Sequence, residues 1–109
     1  MPKAIPMLEK DIQRQILDFL HYHKVFAWRN QTTGIFDTKR KVFRSNQTLK
    51  DAADIFAVLN NGRFVAIEVK RPGGKLSLDQ INFLADINKR GGLAFMADNV
   101  EVVKRELNL

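Results

Sequence analysis

The chain has 109 residues, 45% of them hydrophobic, with a formal charge of +6 and a pI of about 9.9. That length suits one domain spanning residues 1–109 with a core of its own and a modest stability margin, to which a homo-oligomer interface would add. There are no cysteines, which excludes disulfides and thiolate metal sites, and neither a signal-peptide core nor an apolar run near the ~18 residues of a membrane span is found, so a soluble, cytoplasmic protein is expected.

Leu8, Ile12, Ile16, Phe19 and Leu20 recur at helical spacing and predict a first helix over 7–23, with Pro6 suited to its first turn. Residues 25–29 predict a short strand whose Phe26 and Trp28 are expected in the core, with a base-stacking platform as the alternative. Thr33-Gly34 signals a turn, and 35–44 reads as a hairpin with a basic tip. From 39 to 50 run Lys39, Arg40, Lys41, Arg44 and Lys50 with no acid among them. Such a segment is either a solvated basic loop or a surface for the phosphates of nucleic acid. Acids are frequent elsewhere in the chain, and their absence here favours phosphate.

Residues 53–59 and 63–70 predict two strands joined by a hairpin turn at Asn60-Asn61-Gly62, and Pro72-Gly73-Gly74 ends the second. Ser77 opens a helix with Leu78, Ile81, Leu84 and Ala85 expected on its buried side, and Gly91-Gly92 closes it. A last strand over 93–97 and a short helix over 100–107 follow. The order is α, three or four strands, α, β, α. It places the chain in the α/β class, a mixed central sheet flanked by helices.

Charge on the second hairpin strand points to chemistry. Phe64-Val65-Ala66-Ile67 reads as buried, yet it runs on into Glu68 and Lys70, which share one face. Charged side chains are rarely buried unless paired or bound to a metal. With a three-residue loop at 60–62, Leu59 sits opposite Arg63 and Asp54 opposite Glu68, with Cβ atoms about 4.5–5.5 Å apart. A two-residue turn at Asn61-Gly62 would instead send the two acids to opposite faces. Two carboxylates and a lysine suit Mg²⁺ or Mn²⁺ better than Zn²⁺, and that set serves phosphodiester hydrolysis. The bland alternative is a surface salt bridge between Glu68 and Lys70.

Asp54 followed by Glu68-Val69-Lys70 resembles the PD-(D/E)xK nuclease core. The continuation Arg71-Pro72-Gly73-Gly74-Lys75-Leu76-Ser77, then Gln80, and the step Gly91-Gly92-Leu93-Ala94, resemble the virus-type replication-repair nuclease (VRR-NUC) domain in its stand-alone form. The resemblance is specific over 51–103 and weaker before it. It implies a restriction-endonuclease-like core and a metal-dependent endonuclease using Mg²⁺ or Mn²⁺. By position, Asp54 and Glu68 would bind metal, the Val69 carbonyl would complete the shell, Lys70 would be catalytic and Gln80 would belong to the site. A glutamate on the first helix is also expected among the metal ligands, and Glu9 is the best match. The segment Leu49-Lys50-Asp51-Ala52-Ala53-Asp54 lacks the glycine and proline usual in the family, which makes Asp51 a rival ligand. Asp54 is preferred because it begins the strand with the right alternation.

Stand-alone members are similar to Holliday junction resolvases that act as dimers. The resemblance therefore favours four-way junctions or other branched DNA, a homodimer, and a DNA-repair or phage setting. A flap or structure-specific nuclease, or a basic junction-binding module that does not cut, are the alternatives. Arg71 and Lys75 flank the site and are expected on phosphate. Gln80 also completes a capping box, Ser77-Leu78-Asp79-Gln80, and Glu9 also suits the dipole of its helix. His21 and His23 do not share a helix face and are read as surface residues.

Overall fold

The computed structural model describes residues 7–30, 35–37, 39–44 and 52–109. Helix α1 (Glu9–Tyr22) has Ile12, Ile16 and Leu20 almost fully buried at one-turn spacing, which fixes the side it turns to the sheet. Burying each such side chain contributes about 1.5–3 kcal/mol. Glu9 and Asp11 stand in its first turn, where carboxylates complement the helix dipole.

Strands β1 (Phe26–Arg29), β4 (Ile55–Val58), β5 (Phe64–Val69) and β6 (Leu93–Ala97) form one sheet in the order β1-β4-β5-β6. Strands β2 (Ile35–Asp37) and β3 (Val42–Arg44) pair with each other as an antiparallel hairpin with Lys39, Arg40 and Lys41 at its turn, and among the described residues this hairpin is separate from the four-stranded sheet. The basic-tipped hairpin is thus present, and among the described residues five strands precede α2 (Leu78–Lys89), not three or four. β1 to β5 pair antiparallel, whereas β5 and β6 are parallel. A parallel pair needs a long crossover, which α2 supplies. Helix α3 (Val100–Leu107) ends the chain within the bounds expected from its sequence.

The loop at 60–62 sets the register of the central hairpin. Leu59 N–H donates to Arg63 O at 2.9 Å and Gly62 N–H to Leu59 O at 2.8 Å, with Gly62 at φ +85°, a conformation that glycine adopts without strain. The strands then pair Val58 with Phe64 and Ile55 with Ile67. One step further on, Asp54 comes opposite Glu68, as the three-residue loop requires.

Central strand β5 is buried on both faces. One face packs Ile55, Ala57, Val65, Ile67 and Val69 against Ile12, Ile16 and Leu20 of α1 and Val103 of α3. The other packs Ala53, Ala66 and Ala94 against Leu84, Phe83 and Ile87 of α2, with Phe56 and Phe64 at the margin.

Two packing expectations are corrected. The buried side of α2 carries Gln80, Phe83, Leu84 and Ile87, while Leu78 and Ile81 face solvent at 71% and 48% exposure. Leu84, Phe83 and Ile87 pack on the sheet, and Gln80 on the same side bonds to Glu68 of β5. Phe26 and Trp28 are not core residues: they are 72% and 40% exposed. Helix α2 packs mainly on β5 and β6 and meets β4 through Phe83 against Phe56, which leaves Phe26 and Trp28 at the β1 edge outside that core. Among the described residues no helix is long and apolar enough to cross a membrane.

Candidate active site

Glu68 is the one buried charged residue among those described, 4% exposed near the end of the central strand. The pleat turns it away from the α1 side, where Ile67 and Val69 point, and toward α2. Gln80 Nε2 donates to Glu68 Oε1 at 3.0 Å. The same side chain accepts, through Oε1, the Ser77 N–H at 2.9 Å, and Ser77 Oγ accepts the Gln80 N–H at 3.1 Å. Gln80 therefore completes the capping box and holds the carboxylate at once.

Asp54 stands where the chain enters β4. Its N–H donates to Ile67 O at 3.1 Å, and its Oδ2 accepts the Val69 N–H at 2.8 Å. That bond holds the Asp54 carboxylate at the end of β5, beside Glu68. Asn30 supports the strand entry from β1: its N–H donates to Asp54 O at 2.8 Å and its Nδ2 to Ala53 O at 3.1 Å. Nothing in the sequence alone assigned Asn30 this role, because only the β1–β4 pairing brings it there.

The two acids perturb each other. Burial, then the Asp54 charge and a hydrogen bond shared with it, push the Glu68 carboxyl up to about 8. Lys70 acts in the opposite direction, and Glu9 adds to the rise. Glu9 also lines a pocket with Met7, Lys70, Arg71, Gly74 and Lys75. The basic turn folds back tightly on Lys70: a Cβ on Gly74 would lie 3.0 Å from Arg71 O and 3.2 Å from Lys70 Cβ. Gly74 thus belongs to the packing around Lys70, a role that the Pro-Gly-Gly signal gave only as strand termination.

The site gathers Asp54, Glu68, Lys70 and Gln80, with the Val69 backbone between the acids and Glu9, Arg71 and Lys75 around the adjoining pocket. Lys39, Arg40 and Lys41 lie exposed at the β2–β3 turn, and Arg44 lies on β3, a separate two-stranded unit. Lys50 and the rival ligand Asp51 fall outside the described residues.

A family model described as the VRR-NUC domain matches residues 8–101. The chain belongs to the VRR-NUC family. No curated protein matches it significantly. As a VRR-NUC protein it is a nuclease of the PD-(D/E)xK type, a hydrolase whose substrate is DNA, built on an α/β fold with a mixed four-stranded sheet and three helices. Nuclease domains of this type generally use divalent metals.

The donor set of this VRR-NUC protein fits such an ion. Its two facing carboxylates offer hard oxygen donors, and a divalent cation between them would offset both the burial and the Asp54 charge that raise the Glu68 carboxyl. Among the described residues no three acidic or histidine side chains converge to hold a metal by themselves. Two carboxylates suffice for Mg²⁺, which usually retains several waters and shares phosphate oxygens with a substrate.

Proposed function

We propose that this VRR-NUC protein is a divalent-metal-dependent, structure-selective endodeoxyribonuclease that cuts branched DNA, four-way junctions first. The observation that carries the reading is the hairpin register, which sets Asp54 beside Glu68 and Lys70 at the end of β5. Asp54, Glu68 and the Val69 carbonyl would hold Mg²⁺ or Mn²⁺. When bound, the ion supplies Lewis acidity that offsets charge developing on the scissile phosphate. Lys70 orients the attacking water and stabilises the anionic transition state. Gln80 keeps the Glu68 carboxylate aimed at the site through the bond to Oε1. Glu9, across the pocket from Lys70, acts on the site through its charge.

Arg71 and Lys75, exposed beside the same pocket, take neighbouring phosphates. Lys39, Arg40, Lys41 and Arg44 take phosphates further along a DNA arm, consistent with a formal charge of +6. A homodimer would present two sites related by a two-fold axis, which suits paired cuts in a symmetric junction. Such an activity belongs in DNA repair or in phage DNA processing.

The test is cleavage of a labelled four-way junction with Mg²⁺ or Mn²⁺, beside duplex and flap controls, by the wild-type protein and Lys70→Ala. Paired symmetric nicks that vanish in the variant are expected. Binding without cleavage in either metal, unchanged by Lys70→Ala, would overturn the reading in favour of a junction-binding module.

A further inference from the structure

We propose that Phe26 and Trp28 form a stacking platform for unpaired bases of the DNA strand next to the cut. The inference rests on the nuclease reading of the acid pair and adds a substrate feature to it: bases free to leave the duplex stack.

Phe26 and Trp28 are two apart on β1 and share a face of the sheet. Pairing extends that face from Trp28 to Phe56 and on to Ala66. Glu68 lies two residues beyond Ala66 and points the same way, so platform and acids occupy one face. Two strand spacings and one pleat repeat separate Trp28 from Glu68, roughly 12 Å between backbones. A strand threaded past the acids covers that distance within about four nucleotides even at the 3.4 Å rise of stacked DNA.

The rings are arranged to receive a planar partner. Phe26 meets Trp28 edge-on, at 5.5 Å between centroids and 86° between planes, and Phe56 meets Trp28 at 6.1 Å and 56°. Neither neighbour lies flat on the indole. His21, Val25 and Ala27 complete a shallow apolar groove along this edge. An aliphatic cover would gain from area alone, whereas nucleobases gain from the ring faces as well, and the chain's formal charge of +6 favours a polyanion over another apolar surface.

Trp28 is the only tryptophan in the sequence, so its fluorescence reports on the platform directly. The full chain, with EDTA present to hold back chemistry, is titrated with a 15-mer of thymidine, a duplex of equal length, and a four-way junction with or without unpaired thymines at the crossover. Quenching is expected with the single strand and the gapped junction, and little with duplex. Phe26→Ala should weaken single-strand binding roughly five- to a hundredfold and leave duplex binding within about twofold. Phe26→Leu, which keeps apolar bulk, should not restore it. Equal quenching by duplex, no quenching at all, or full rescue by leucine would overturn the platform. So would dissociation of a DNA-free dimer by Phe26→Ala in sedimentation, because the face would then belong to a second copy. Junction cleavage without quenching would sink the platform alone; quenching by unpaired bases without cleavage in any metal would sink the enzymatic reading alone.

Discussion

Replacing Glu68 by glutamine should stabilise the metal-free protein, and the gain should grow with pH. The folded state holds the Glu68 proton up to about pH 8, whereas the ordinary value of 4.5 applies once the chain unfolds. Below about pH 4.5 both states carry the proton and stability is unaffected. Between the two values the native state binds more protons than the unfolded one, so stability falls as pH rises. When both states are ionised the accumulated loss is on the order of 5 kcal/mol, and at pH 7 on the order of 3 kcal/mol. A glutamine stays neutral throughout. Its Oε1 can accept the Gln80 amide, as Glu68 Oε1 does at 3.0 Å, and its amide can donate to Asp54. Urea denaturation with EDTA from pH 5 to 8.5 should show the two proteins nearly equal at the acid end and several kcal/mol apart at the alkaline end. Mg²⁺ should then close the gap by stabilising only the wild type. A constant difference across that pH range would show that Glu68 titrates as an ordinary surface acid and would refute the reasoning.

Gln80→Ala removes both the capping bond and the bond to Glu68, and thermal melts should show a cost of about 1–2 kcal/mol. Gln80→Glu retains the reach to the Ser77 N–H but faces Glu68 with a third carboxylate, so its melting temperature should fall further below wild type at pH 8 than at pH 5. Gly74→Ala must push the turn a few tenths of an ångström away from Lys70. Single-turnover cleavage should slow on the order of tenfold while gel-shift affinity and melting temperature hold. Alanine at Lys39, Arg40 and Lys41 together should reduce the slope of log affinity against log salt by about 0.9 for each DNA phosphate that these side chains neutralise in the wild type, read by fluorescence anisotropy.

What the sequence disclosed follows the range of the forces involved. The capping box at Ser77, the stop at Gly91 and the bounds of α3 depend on neighbours within a few residues, and they were legible. The register of the central hairpin was legible too, because a loop of Asn60, Asn61 and Gly62 transmits its geometry along both strands. Facing was harder. Along α2, the sets Leu78, Ile81, Ala85 and Gln80, Phe83, Ile87 both satisfy helical spacing, and the tertiary packing of Phe83 and Ile87 on the sheet, with the bond from Gln80 to Glu68, selects the second. Trp28 and Phe26 looked like core because large aromatics usually are. Their exposure depends on where α2 lies across the sheet, which no local pattern states. Asp54 could be paired with Glu68 by counting, but the Val69 N–H that orients its carboxylate emerged only with the fold.

The loop at 60–62 stands about 17 Å along β4 from Asp54, exposed and free of catalytic side chains. What the loop transmits is the pair it closes, Leu59 with Arg63, and every strand position back to Asp54 is counted from that pair. Shortening the loop to Asn-Gly would leave a turn that hairpins favour and the same pair closed. A slide of the strands by one residue would instead carry Asp54 to the side of the sheet opposite Glu68. The distant turn thus acts as a ruler for the acid pair: changes that keep its closing pair are silent at the far end, and changes that shift the pair by one are not.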